Sequence, residues 1–196
     1  MPNVSRQSYI LYDLPKVMAT PNMHWEGMPL GSLADVIGGG TPDTGVNEYW
    51  NPPSIPWVTP TDMSATEGIY LESTERSISP KGLKSCSAAL LPVGTTLLTS
   101  RATVGECRMS AVEVATNQGF ASLVPIQVDG AFLFYMAQHM KPVFCRLAAG
   151  TTYAEVSRRE VRKVRCYLPC DRTEQKRISD ILGQADHALN GLRDEL

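Results

Sequence analysis

Three short polar segments carry side chains that are suited to hydrogen bonding with nucleic acid. Ser, Thr, Asn and Gln contact phosphates and base edges, Arg can bind guanine through two hydrogen bonds, and Asn or Gln can bind adenine in the same way. We therefore predict DNA contacts from Thr59, Thr61, Asp62, Ser100, Arg101, Thr103, Asn117 and Gln118. The alternative is that these side chains cap turns and satisfy buried backbone groups, which fits Asn117 and Gln118 equally well and Arg101 less well.

Three other parts of the chain extend this predicted surface. Thr41 follows a run of three glycines, and a second loop contains Thr151, Thr152 and Tyr153. Five basic residues lie between positions 158 and 165, so Arg158 and Arg159 can belong to a local basic face although the formal net charge of the chain is -2. Because nucleic-acid-binding proteins usually carry a basic surface, this net charge predicts weak DNA binding by the isolated chain.

The chain lacks the residue patterns of the common catalytic sites. The segment Asn51-Pro52-Pro53-Ser54 is similar to the catalytic loop of adenine amino-methyltransferases, but Ser54 stands where that loop has an aromatic residue. No strand is followed by a glycine fingerprint, and there is no phosphate-binding Gly-Lys-Ser/Thr loop. We interpret the segment as a turn before a strand at residues 55–58. A Cys/His hydrolase is disfavoured because the three histidines lie in unrelated surroundings.

The five cysteines are odd in number and irregularly spaced, which fits reduced thiols better than a disulfide framework. Cys166 and Cys170 are close in sequence, but a zinc site usually needs four ligands, so we interpret both as structural. We expect no metal and no cofactor in this chain. Since the sequence has neither a signal peptide nor a membrane-length apolar run, we expect the protein in the cytoplasm.

Short apolar runs between the polar segments predict the strands that position them. Such runs occur at residues 33–37, 95–99, 112–115 and 120–124, each close to a glycine or proline. Apolar residues at helical spacing predict a helix at residues 131–148, which Pro142 kinks or restarts. The capping-box spacing of Ser157 and Glu160 predicts a short helical turn, and a last strand follows at residues 161–168.

The carboxyl-terminal segment predicts a helix with an apolar seam. Asp171 and Glu174 have capping-box spacing, and apolar residues then recur at alternating steps of four and three: Ile178, Leu182, Ala185, Leu189, Leu192 and Leu196. This pattern predicts a coiled coil, whose length of about three heptads requires a partner helix. The alternative is an amphipathic helix that folds onto its own domain. We divide the chain into an extension at residues 1–24, a recognition domain at 25–170 and this helix at 171–196.

The blocks at residues 38–62, 97–106, 115–120 and 150–153 occur together in one order, and as a set they resemble the target-recognition domain of type I restriction-modification specificity subunits. The start of the carboxyl-terminal helix, Glu174-Gln175-Lys176-Arg177-Ile178, is similar to the start of that family's spacer helix. The resemblance covers about residues 25–196. It implies an α/β fold of the α+β type, with an irregular, mostly antiparallel sheet and packed helices.

The resemblance also implies a function. Such a subunit has no catalytic residues and reads one half of a bipartite target in double-stranded DNA. Two modification subunits hold S-adenosylmethionine and methylate an adenine that they flip out of the duplex. A restriction subunit that uses ATP can join the complex.

The sequence leaves two alternatives open. The chain is either a half-length subunit, whose helix pairs with a second copy and requires inverted half-sites, or a fragment of a two-domain subunit. The alternative function is a protein-interaction module that docks a methyltransferase through its carboxyl-terminal helix without reading DNA.

Overall fold

The computed structural model describes residues 24–149 and 154–194, with side chains up to residue 189. Its largest sheet has five strands in the order β2 (Ala34–Gly38), β9 (Ala121–Pro125), β6 (Thr96–Leu98), β7 (Cys107–Ser110) and β4 (Tyr70–Leu71). Every pairing in it is antiparallel except that of β4 with β7. The strands β2 and β4 therefore form the two opposite edges of this sheet.

Two smaller sheets complete the described strands. A three-stranded sheet contains β5 (Ser77–Ile78), β3 (Ile55–Val58) and β8 (Ala115–Thr116), and β3 runs antiparallel to β5 and parallel to β8. An antiparallel pair joins β1 (Trp25–Pro29) to β10 (Arg165–Pro169), which brings the two ends of the described domain together. The α+β class with mostly antiparallel sheets is confirmed.

Seven α-helices connect or cover the described strands. Three are short: α1 (Leu30–Leu33), α2 (Pro60–Ala65) and α3 (Pro80–Ser85). The helices α4 (Gly130–His139) and α5 (Lys141–Ala148) divide at Met140, as Pro142 predicted, because proline is accepted in the first turn of a new helix. The last two are α6 (Arg158–Lys163) and the long carboxyl-terminal helix α7 (Arg172–Asp194).

The core lies on both faces of the five-stranded sheet. On one face Leu98 and Leu123 pack with Phe134 and Phe144 of α4 and α5, and all four are at most 1% exposed. On the other face Leu97 and Phe120 belong to a second cluster that also includes residues of β3, α2 and β4. Burying a large apolar side chain contributes about 1.5–3 kcal/mol, so these two layers hold the sheet as a rigid support for the loops at its ends.

Two predicted elements differ from the structure. The last strand begins at Arg165 instead of Val161, because the Ser157 side chain accepts a hydrogen bond from the Glu160 backbone N–H and starts a helix that continues to Lys163. The segment after Trp57, which carries the predicted contacts Thr59, Thr61 and Asp62, contains the helix α2. The spacing Thr59-Pro60-Thr61-Asp62 forms its capping box, a signal that the sequence already carried.

Candidate nucleic-acid interface

The glycine run after β2 joins the two larger sheets. The Gly40 backbone N–H donates to the Thr116 carbonyl at 2.9 Å, and the Gly40 carbonyl accepts from the Trp57 indole N–H at 3.0 Å. A Cβ atom on Gly39 would lie 2.0 Å from the Asn117 carbonyl oxygen, which is far inside van der Waals contact. Glycine is therefore needed here because the backbone of residues 116–117 occupies the space of a side chain.

The segment that follows β8 lies against this glycine run. The Thr41 hydroxyl donates to Gln118 Oε1 at 2.5 Å, so these two predicted contact residues lie side by side. Gln118 is exposed. The Asn117 Oδ1 accepts from the Gly119 backbone N–H at 2.8 Å, which is the turn-stabilising role that we weighed as its alternative. This bond uses only the Asn117 side-chain oxygen and does not involve its NH₂ group.

The hairpin between β6 and β7 presents Arg101 and Thr103 to solvent at its tip. Ala102 between them has a φ of 63°, and the Ser100 backbone N–H donates to the Gly119 carbonyl at 2.7 Å. The Arg101 side chain crosses Gly119, since a Cβ there would lie 3.3 Å from Arg101 Cγ and Nε. The tip is thus fixed against the segment that carries Gln118.

Arg158 and Arg162 of α6 lie along the β2 edge of the five-stranded sheet. The Arg158 side chain lies 3.0 Å from the position of a Cβ on Gly38, and Arg162 Nη2 donates to the Val36 carbonyl at 2.6 Å. Arg159 is exposed, with Glu160 at 3.7 Å. Gly38 continues into Gly39, which contacts residues 116–117. Arg158, Thr41, Gln118 and Arg101 therefore belong to one continuous surface, which we call the polar face.

The opposite edge of the sheet is acidic. A hollow of about 680 Å³ between the β4 region and α7 is lined by Glu67, Glu72, Asp180 and Asp186, and none of its described lining residues is Lys or Arg. Its floor includes Met109 and Phe134. The β2 edge thus carries Arg158 and Arg162 beside the exposed Asp35, and carboxylates predominate at the β4 edge, where Lys176 is paired with Asp180.

Four predicted contact residues have structural surroundings that argue against DNA contact. The Asp62 carboxylate is 8% exposed and accepts hydrogen bonds from the Thr59 backbone and hydroxyl and from the Glu75 N–H. Thr59 is the N-cap of α2, and Ser100 is 3% exposed, so we withdraw these three residues from the candidate contacts. Thr61 is exposed but lines a second acidic hollow with Glu67, Glu72 and Glu75, where a phosphate would be repelled.

Some predictions lie outside the described residues. Thr151, Thr152 and Tyr153, the extension before residue 24, and the side chains of Leu192 and Leu196 are in this group. They remain predictions.

The helix α7 packs on its own domain over its first turns. Ile178 is packed against the main core, and Leu182 is half-buried, whereas Ala185 and Leu189 are exposed. Ile181, which we left out of the predicted seam, is 57% exposed and lies one turn before Ala185. The apolar stripe that is free for a partner therefore consists of Ile181, Ala185, Ala188 and Leu189, rotated away from Ile178.

Sequence reasoning also missed Arg162 and Arg76. Arg162 belongs to the basic cluster that the sequence indicated, but its bond to the backbone of β2 depends on tertiary packing. Arg76 lies with its Cζ 3.9 Å from the centre of the Trp50 ring and 5.4 Å from that of Trp57. This cation–π contact holds the loop before β3 against the three-stranded sheet, and no local pattern indicates it.

Two of the cysteines have the character of structural residues, whereas Cys145 and Cys170 are exposed. Cys107 and Cys166 are buried, and burial raises the pKa of each thiol to about 12. Among the described residues no group of His, Cys, Asp and Glu could hold a metal ion. Within the same residues no helix has the length and apolar character that would cross a membrane.

Comparisons with known proteins agree with this geometry. Residues 22–196 match a family model described as the type I restriction modification DNA specificity domain. The chain is 33% identical over 168 residues to the type I restriction enzyme MjaIX specificity subunit of Methanocaldococcus jannaschii, covering 84% of this chain and 38% of that protein. It is 25% identical over 178 residues to a type I restriction enzyme specificity subunit of Escherichia coli, covering 87% of this chain and 43% of that protein.

A solved structure has the same fold. The HsdS subunit from Thermoanaerobacter tengcongensis superposes with a TM-score of 0.68 at 21% identity, covering 93% of this chain and 42% of that chain. The chain spans about two fifths of the length of the curated relatives that it matches.

Proposed function

The chain belongs to the type I restriction modification DNA specificity domain family, and from this premise we propose that it reads one half of a bipartite DNA target. In this role it positions a partner methyltransferase subunit on an adenine. The observation that carries the proposal is the polar face, on which Arg101, Gln118 and Thr41 lie beside the basic edge formed by Arg158 and Arg162.

The polar face supports a division of roles. Arg101 is exposed at a fixed hairpin tip, where a guanidinium can bind guanine O6 and N7, and Gln118 can bind adenine N6 and N7. Thr41 orients the Gln118 side chain through its hydrogen bond. Arg158 and Arg159 lie at the sheet edge, where they suit phosphates, which fix register without reading sequence.

We further propose that the exposed stripe of α7 pairs with an equivalent helix, which connects two recognition domains. The second helix belongs either to a second copy of this chain or to a second domain of a longer subunit. A second copy would impose two-fold symmetry on the complex, so its target would be a palindrome of two inverted half-sites.

The proposed chemistry belongs to the partners. The modification subunits supply S-adenosylmethionine and transfer its methyl group, and a restriction subunit supplies the ATP-dependent activity, so this chain is non-catalytic. The complex acts on DNA in the cytoplasm. The alternative function is a docking module that binds the methyltransferase and not DNA.

Methylation mapping tests the proposal. The chain is expressed with its modification subunit in a methylation-free host, and modified adenines are located by long-read sequencing. We expect a bipartite motif that requires both proteins, and a palindromic motif would identify the two-copy assembly. A stable complex that methylates no motif would favour the docking module.

Binding to the mapped target then separates the roles of the arginines. Arg101→Ala should weaken binding to the cognate duplex by about 1–3 kcal/mol and relax specificity at one base pair, whereas Arg158→Ala should weaken binding to all sequences and reduce the salt slope by about one. Arg177→Ala on α7, where the arginine is ion-paired with Glu174, is the matched control and should change neither quantity. Equal losses for all three variants would exclude the polar face as the DNA-reading surface.

A further inference from the structure

The root of α7 is held by buried polar side chains. Gln175 is 2% exposed and Ser179 is 3% exposed, and one helical turn separates them on the face that meets α4. A helix that docks only by its apolar stripe does not need buried amide and hydroxyl groups at this position. The buried Gln175 and Ser179 therefore indicate that α7 docks on α4 in one defined orientation.

Gln175 joins two elements through opposite ends of its amide. Its Oε1 accepts from the Asp129 backbone N–H at 2.9 Å, and its Nε2 donates to the Pro169 carbonyl at 2.8 Å. Asp129 is the N-cap of α4, and Pro169 is the last residue of β10. The Ser179 hydroxyl donates to the Lys176 carbonyl of its own helix at 2.9 Å and lies 3.3 Å from Asp129 Oδ1, which accepts from the Phe132 N–H. We call Gln175, Ser179 and Asp129 the polar latch.

A second contact lies two turns further along the same helix. Tyr135 of α4 and Asp186 of α7 line the same acidic hollow, and burial together with the Asp186 carboxylate raises the pKa of Tyr135. Gly183 leaves room for the tyrosine, since a Cβ there would lie 3.6 Å from the Tyr135 oxygen. Helix α7 therefore meets α4 at the latch and again where Gly183 and Asp186 lie beside Tyr135.

The directional bonds of Gln175 restrict motions of α7 that apolar packing allows. Apolar side chains keep most of their contact when a helix rotates or slides slightly, whereas hydrogen bonds weaken steeply as their angles change. The helix extends 19 residues beyond Gln175 to Asp194, which is about 29 Å at 1.5 Å per residue. A rotation of about 7° at the root would move the far end by about 3.5 Å, which is close to the rise of one base pair.

We propose that the polar latch and the Tyr135–Asp186 pair are positioning elements that set which separation of the two half-sites the complex accepts. The inference rests on the proposed function, because it requires that α7 connects two DNA-reading domains. The polar face reads the half-site, and the latch determines where the second half-site must lie.

The test measures spacing preference apart from half-site reading. The chain is co-expressed with its modification subunit in hosts that carry the mapped target with its spacer lengthened or shortened by one and two base pairs. The variants are Gln175→Leu with Ser179→Ala, and separately Tyr135→Phe, which removes one hydroxyl from a half-buried ring and keeps the fold. Gln138→Leu makes the same chemical change as Gln175→Leu at an exposed position of α4 and serves as the control.

The wild-type complex and the control should prefer one spacing over its neighbours by about tenfold or more, since small misplacements of reacting groups cost large factors in rate. The latch variant should reduce this ratio severalfold, and Tyr135→Phe should reduce it less. Binding of each variant to a duplex with a single half-site should stay within about twofold of wild type, which a general loss of folding would not allow.

Two results would overturn the inference. An unchanged spacing preference in both Tyr135→Phe and the latch variant, with single half-site binding intact, would show that the latch does not set the separation. A uniform loss of methylation at all spacings, in parallel with a loss of half-site binding, would show a role in stability alone. Absence of half-site binding by the wild-type complex would instead contradict the proposed function itself.

Discussion

Replacing Gly39 with alanine tests the junction on which the polar face is built. The new Cβ would lie 2.0 Å from the Asn117 carbonyl oxygen and 2.1 Å from that of Thr116, and both obstacles are backbone atoms. Carbon atoms of side chains do not approach other heavy atoms closer than about 3.0 Å, so the two segments must separate by about 1 Å. The bond from the Gly40 N–H to the Thr116 carbonyl, now 2.9 Å, would lengthen.

The expected loss follows from these contacts. Overpacking costs about 1–3 kcal/mol, and a weakened hydrogen bond adds about 0.5–1.5 kcal/mol, so we expect the free energy of unfolding to fall by about 3 kcal/mol. For a chain of this size that corresponds to a decrease in Tm of about 6–12 °C. Urea unfolding followed by tryptophan fluorescence measures the loss, because Trp50 and Trp57 pack together beside the junction.

Gly45→Ala is the matched control. Gly45 lies in the same connection between β2 and β3, is exposed, and its nearest obstacle is the flexible Asp43 carboxylate at 3.3 Å. Its free energy of unfolding should change by less than about 0.5 kcal/mol. Because the shift also moves Thr41 away from Gln118, Gly39→Ala should weaken DNA binding under conditions where the protein remains folded. If Gly39→Ala and Gly45→Ala were equally stable, the close contact between Gly39 and the backbone of residues 116–117 would be refuted.

Three further predictions concern the cap, the helix stripe and the thiols. Thr59→Ala removes the N-cap of α2 and should lower the free energy of unfolding by about 1 kcal/mol in chemical denaturation, whereas no change would mean that Asp62 holds the helix start alone. Ile181→Glu should raise the dissociation constant of helix pairing about tenfold or more in sedimentation experiments without changing the Tm, and an unchanged constant would exclude the stripe. Because burial raises the pKa of Cys107 and Cys166 to about 12, the neutral thiols stabilise the fold fully below the unfolded pKa of about 8.5, and this stabilisation is lost as pH rises from about 8.5 to 12. Alkylation at pH 8 followed by mass spectrometry should therefore label the exposed Cys145 and spare both buried thiols, and rapid labelling of Cys107 would contradict its burial.

The sequence predicted the elements that local chemistry determines. The break before Pro142, the Ser157 cap and the strand at residues 55–58 depend on proline geometry, capping and turn residues, which act within a few positions. The start of β10 was wrong because Val161 has the apolar character of both a strand and a buried helix position, and only packing decides between them.

The site was less predictable than the fold because exposure depends on long-range contacts. The sequence predicted DNA contacts from both Ser100 and its neighbour Arg101. In the structure Ser100 is buried, whereas Arg101 is exposed at the hairpin tip. The pairing of Thr41 with Gln118, 77 positions apart, requires the sheet order and has no local signal. For α7 the spacing predicted a coiled-coil seam that includes Ile178, but Ile178 packs on the domain itself, so the exposed apolar stripe begins at Ile181.

The separation of charge between the two sheet edges gives the molecule an electrostatic polarity that its net charge conceals. A duplex approaching the β4 edge meets Glu67 and Glu72, and one approaching the β2 edge meets Arg158 and Arg162. Within about 8 Å, the screening distance at physiological salt, this difference exerts a torque that turns the β2 edge toward the phosphates. In the proposed function this field would disfavour wrongly oriented encounters before any base is read and would raise the association rate. That advantage disappears as salt shortens the screening distance.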